Sequence, residues 1–220
     1  MKIKTILDLQ DAIDNEMGWR KKELSAIRAN INSSRSFAKE TALRSGIALL
    51  YAHWEGTIKK IAYFYLVYVS NQKVTYDKLK PNFLALALKR ELSELIKTKK
   101  VSLHTSFIEK FNQQQNMMAK IPTEGVIDTK SNLNSEVFLE IMCTIGLDQS
   151  IYENDFKLID EVLLNMRNRI AHGEHLDEIS LDENRYNEIH IKIFNLINQF
   201  SIQVSNAASQ KLYLIEKEKI

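Results

Sequence analysis

Cysteine, proline and glycine are all scarce in this chain. Its one cysteine, Cys143, cannot close an internal disulfide, so the expected compartment is reducing and cytoplasmic. Two prolines, Pro81 and Pro122, and six glycines in 220 residues are too few for the repeated tight reversals of a multi-stranded β fold. Charge of one sign is not in excess either. Lys and Arg number 30 against 28 Asp and Glu, so no global positive field announces a nucleic-acid binder and any basic surface must be local. The most apolar window, residues 47–69, is interrupted by His53, Glu55, Lys59 and Lys60, which argues for a buried helix and against a membrane span or membrane partner. The start, Met1-Lys2-Ile3-Lys4, runs into an amphipathic pattern without the apolar core of a signal peptide. P-loop, dinucleotide-fingerprint, EF-hand and zincin motifs are missing as well, so no cofactor and no metal are expected.

What the chain does have is helix formers and helical spacing. Hydrophobic residues make up 45%, enough to close the core of one domain spanning 1–220. Leu9, Ile13, Met17, Leu24, Ile27 and Ile31 recur at spacings of three, four or seven and predict an amphipathic helix over 6–31. A longer helix over 36–71 is apolar nearly all round, from Leu43 through Trp54 to Tyr68, and belongs at the centre of a bundle or in an interface. Pro81 suits the first turn of a third helix carried by 83–97. A fourth is expected near 102–118, and the polar stretch 112–136, with Pro122 and Gly125, reads as a long surface loop or insertion. A short helix over 138–145 stops at Gly146, another runs over 152–172 with Gly173 just past its end, and the last covers 182–214. The fold class is therefore all-α.

The sequence Arg167-Asn168-Arg169-Ile170-Ala171-His172-Gly173 carries the chemistry. Arginine offers a rigid fork of donors matched to phosphate oxygens, and histidine both takes and gives a proton near neutrality. Phe156, Ile159, Leu163, Met166 and Ile170 mark the expected buried stripe of this helix. At about 100° per residue, Arg167 lies roughly 60° from that stripe while Asn168 and His172 lie nearly opposite it. Arg167 and His172 are themselves about 140° apart, so one straight helix does not aim both at one phosphate. Two such helices crossing on a two-fold axis would surround it with four groups.

The bare Arg-to-His spacing is weak evidence, because Arg169 to His175 and Arg185 to His190 show comparable spacing. Asn168 directly after the Arg and a helix stop directly after the His distinguish the first. In this context 163–173 resembles the HEPN superfamily, whose signature is an Arg, often followed by a polar residue such as Asn, then a His after four to six positions. Trp19-Arg20-Lys21-Lys22-Glu23, Leu50-Tyr51-Ala52-His53-Trp54-Glu55-Gly56 and Ile145-Gly146-Leu147-Asp148 look like the MAE-type branch of HEPN-like nucleases. That resemblance implies an α-helical bundle of long antiparallel helices, a symmetric homodimer and metal-independent endoribonuclease activity of the kind found in toxin–antitoxin and antiphage defence systems. It places Arg167, Asn168 and His172 in the catalytic site, with RNA as substrate and an antitoxin or defence-system protein as a further partner.

Each assignment has a plainer counterpart. Arg167 and His172 can be a surface arginine and a helix-capping histidine. Asn168 either orients the imidazole or substrate or makes an interface hydrogen bond, and Arg169 is a solvated or phosphate-steering charge. Glu55 either pairs with Lys59 one turn on or reaches across the bundle to support Arg167 or His172. His172 and His175 beside Glu174 lack the third and fourth ligands of a zinc site. Of the basic clusters Lys21-Lys22, Lys59-Lys60, Lys89-Arg90 and 97–100, one can line an RNA groove. The alternative function is a non-catalytic dimeric module that holds a protein partner or a nucleotide.

Overall fold

The computed structural model describes residues 2–174 and 181–215, and its described secondary structure is helical apart from two isolated β-bridges, Thr75 with Met118 and Leu79 with Leu214. Helix α1 (Ile6–Ser33) starts in a capping box, the Asp8 N–H donating to Thr5 Oγ1 at 3.1 Å and the Thr5 N–H to Asp8 Oδ2 at 2.8 Å. Only Ser34 and Arg35 separate it from α2 (Ser36–Ser70), so the two must lie antiparallel. The core helix expected at 36–71 is α2, and 18 of its residues are buried.

The other elements arrange around α2. Helices α3 (Pro81–Ala87), α4 (Lys89–Ile96) and α5 (Val101–Gln114) follow it, then α6 (Ser135–Ile145), α7 (Asn165–Ala171) and α8 (Glu183–Ser209). α8 packs on both α1 and α2. Arg28 Nε donates to Asn187 Oδ1 at 2.8 Å and Lys39 pairs with Glu183, while Tyr213 meets Tyr68 at the far end. α8 therefore runs parallel to α2 and antiparallel to α1, so the long helices are not all antiparallel.

Two expectations about single helices are corrected. The stretch 83–97 is split at Leu88 (φ −101°, ψ 7°) into α3 and α4, with neither proline nor glycine at the break. The stretch 152–172 is not one α-helix either: 3₁₀ turns over Ser150–Asp155 and a π-helical segment over Leu158–Leu164 precede α7. A π-turn advances fewer degrees per residue than an α-turn, so a stripe projected at one constant angle goes out of phase. Ile159 and Leu163 are buried, but Phe156, Met166 and Ile170 are only half-buried.

Behind the site, two of the sequence landmarks meet. Arg20 is buried and contacts Glu16 at 2.6 Å and His53 Nδ1 at 3.2 Å, with Trp19 stacked on its guanidinium at 4.5 Å. His53 Nε2 lies 2.8 Å from Glu23 Oε2. Gly56 makes the room, since a Cβ there would stand 2.8 Å from Arg20 Nη2. Burial, reinforced by the Arg20 charge, holds His53 below the ordinary histidine range.

His190 belongs to the core. It lies between the rings of Tyr186 and Phe194, and burial pushes its pKa down to about 4 from the ordinary 6.5. The unfolded chain then binds a proton in the window where the folded one does not. This contribution to stability is complete above pH 6.5 and is lost as pH falls towards 4, at up to about 1.4 kcal/mol per pH unit. Urea titrations at pH 7 and pH 5 should show the slope, and His190→Phe should flatten it. An unchanged slope in that variant would refute the assignment.

Candidate functional site

α7 has no fully buried residue, and residues 166–170 are all half-buried. It lies on the outer surface of α2 and is held at its end. The Gly173 N–H donates to the Ile170 carbonyl at 3.1 Å and the Glu174 N–H to the Arg169 carbonyl at 3.1 Å, with Gly173 at φ +85°. That is the Schellman closure which a glycine after the helix permits. Arg44 of α2 completes it by donating to the carbonyls of Ile170 and Glu174. Arg44 was not singled out from sequence, because nothing local links it to a helix more than 100 residues away.

Arg167 points back against the bundle. Its guanidinium lies 4.5 Å over the Tyr51 ring, and Nη1 donates to Asn132 Oδ1 at 2.9 Å and to Asn168 Oδ1 at 2.7 Å. Nη2 donates to the Ser131 carbonyl at 3.2 Å. A guanidinium placed over an aromatic face and fixed along its edge by hydrogen bonds has little freedom left, which is the condition for precise phosphate recognition. Asn168 thus supports Arg167 within the protomer, and its side chain makes no hydrogen bond to the imidazole.

The acceptors come from the segment 115–134, which contains no helix. It is less a surface excursion than a strap stitched along α2. The Tyr63 hydroxyl donates to Glu124 at 2.9 Å, the Thr129 hydroxyl to Glu55 Oε1 at 2.5 Å and the Leu133 N–H to the Tyr51 oxygen at 2.6 Å. Ile127, Thr129 and Leu133 are buried. Lys130 and Ser131, beneath Arg167, both have positive φ, 51° and 60°, a strained pair of non-glycine residues of the sort that accumulates at working sites.

Glu55 therefore contacts Thr129, and among the described residues it forms no salt bridge with Lys59. It reaches Arg167 indirectly, through Tyr51 and through the strap. The Tyr51 phenol is pushed up to about 12, chiefly by burial and also by the Glu55 carboxylate, with the Leu133 N–H and Arg167 acting the other way. It stays a neutral platform across the working pH range. Tyr51 and Glu55 are i, i+4 neighbours, so they share a face of α2; that spacing was the signal by which Tyr51 could have been found.

His172 stands apart from this cluster. It is exposed at the end of α7, with its backbone N–H on the Asn168 carbonyl at 2.9 Å and no side-chain hydrogen bond to Arg167 among the described residues. Arg169 is paired with Glu174. His175 lies outside the described residues. The Arg185 to His190 repeat of the spacing is split between surface and core, Arg185 facing Glu188 at 3.1 Å while His190 is buried. Among the described residues no helix is long and apolar enough to cross a membrane. Lys21, Lys22, Lys59, Lys60, Lys89, Arg90, Lys97, Lys99 and Lys100 are all exposed.

The family model described as HEPN_MAE_28990-like HEPN matches residues 9–213. That span takes in all but the first turn of α1, the strap, the motif helix and α8. No curated protein and no solved structure matches.

Proposed function

This chain belongs to the HEPN_MAE_28990-like HEPN family, and on that premise we propose that it is a metal-independent endoribonuclease. The observation carrying the proposal is Arg167, held by Tyr51, Asn132 and Asn168 beside a helix end that presents an exposed His172. His172 moves the proton of the ribose 2′-OH attack and Arg167 stabilises charge on the phosphoryl oxygens. The products are a 2′,3′-cyclic phosphate and a 5′-OH. DNA, without the 2′-OH, resists, and chelators have no effect.

The site is shared by two copies of the chain. Arg167 and His172 do not meet within the protomer, and α7 turns Met166 and Ile170 to the core while His172 is left exposed at its end, so a two-fold partner brings the second pair of groups to the same phosphate. Asn168, Arg169 and Glu55 support it, the last through Tyr51 and the strap. A toxin or antiphage role, controlled by a partner protein in the cytoplasm, fits such an activity.

HEPN members are often ribonucleases and some are non-catalytic. A non-catalytic binding module is the competing reading, and growth separates the two. Expression of the parent is expected to arrest growth and His172→Ala to relieve the arrest while accumulating as folded protein. Equal effects of the two proteins on growth would contradict a catalytic His172. Light scattering should give near twice 25.5 kDa; a strict monomer would contradict the shared site.

A further inference from the structure

A cavity of about 460 Å³ opens between the first half of α2 and the end of α7, with Phe37, Glu40, Thr41 and Arg44 on one side and Ile170 and Gly173 on the other. Its size is in the range of small-ligand sites. Two of its lining residues bracket His172 in the chain. Arg44 also ties it to that helix end through the Ile170 and Glu174 carbonyls, so the cavity adjoins the turn that carries the exposed His172.

The lining has a definite chemistry. Phe37 is 77% exposed and contributes nothing to the core, while a free aromatic face stacks any nucleobase. Thr41 and Ser45 spend their hydroxyl hydrogens on their own helix, on the Phe37 carbonyl at 3.2 Å and the Thr41 carbonyl at 2.8 Å. Towards the cavity they therefore offer only acceptors. Glu40 adds a carboxylate with two more acceptors. It is in no salt bridge among the described residues, whereas its neighbour Lys39 is paired with Glu183.

The one cation of the lining, Arg44, is turned to the Ile170 and Glu174 carbonyls, and the acceptors that remain select for an edge of donors. Guanine is the one RNA base that presents two adjacent donors, N1–H and N2–H, on its Watson–Crick edge; adenine, cytosine and uracil each place an acceptor beside a donor. A carboxylate matches the first arrangement with both oxygens and repels a lone pair in the others. We infer that this cavity is a guanine-binding pocket, stacking the base on Phe37 and reading it with Glu40, and that it sets which phosphodiester reaches His172. The inference rests on the ribonuclease reading for its role in cleavage, but not for the binding itself.

Ligand-observed saturation-transfer NMR with the four nucleoside 5′-monophosphates, on the His172→Ala protein, tests the binding. GMP is expected to bind about tenfold or more tightly than AMP, CMP or UMP, in line with the discrimination of a good bidentate base contact. Glu40→Gln in that background should bring GMP to the level of AMP, and Phe37→Ala should weaken all four. Equal binding of the four, no binding, or GMP binding indifferent to Glu40→Gln would overturn the proposal. Mapping of cut sites separates it from the premise. Cleavage by the parent without guanine enrichment sinks the pocket and leaves the nuclease, while Glu40-dependent GMP binding by a protein that cuts no RNA does the reverse.

Discussion

Arg167→Lys is expected to lower RNA cleavage at least about 100-fold, the cost of removing one preorganised charge-stabilising group, with little change in the melting temperature. Charge is conserved in this substitution, so a loss measures geometry. An ammonium cannot lie flat on Tyr51 at 4.5 Å while bonding Asn132 and Asn168 along one edge, nor can it present two parallel donors to a phosphate. Arg167→Ala should be no worse by more than a few-fold. Initial rates on a single RNA, with melting curves beside them, check this. Lysine activity close to that of the parent would show that Arg167 acts as a diffuse charge and that its cradle is incidental.

Trp54→Ala is expected to destabilise the fold by about 3–5 kcal/mol, the usual range for emptying a fully buried aromatic site, or roughly 6–20 °C in Tm for a chain of this size. The indole is fully buried and packs on Phe138 at 5.3 Å, and Phe138 in turn meets Tyr152 at 5.0 Å and Phe200 at 6.2 Å. Through Phe138 the indole on α2 is thus linked to α6, the 3₁₀ turns before the motif and α8. Trp54→Phe should recover most of the loss, because the indole N–H has no hydrogen-bond partner among the described residues and phenylalanine gives up only ring volume. Urea unfolding of the two variants is the measurement; a phenylalanine variant as unstable as the alanine one would mean that the N–H is satisfied.

The helices were legible because their causes are local. Capping residues, apolar spacing and a glycine after the last turn all lie within a few positions of the boundary they set, and Thr5, Asn134 and Asp182 cap helix starts and Gly146 stops a helix, as expected of it. The π-turn before α7 was not legible, since its residues, 158–164, are ordinary helix formers with no proline or glycine among them to mark the distortion. The same divide runs through the site. Arg167, Asn168 and His172 stand out as a contiguous motif, whereas what holds Arg167 comes from α2 and from a strap more than 30 residues upstream in the chain. Polar composition marked 112–136 as loop, but only the packed structure shows Thr129 and Leu133 buried against Glu55 and Tyr51.

Incubation of a mixed RNA pool with the purified protein in EDTA, alongside Arg167→Ala and His172→Ala, tests the account most directly when the product ends are identified. The account predicts cleavage by the parent alone, with 2′,3′-cyclic phosphate and 5′-OH ends and intact DNA in a parallel reaction. Cutting that disappears in EDTA, or that both variants retain, would contradict it.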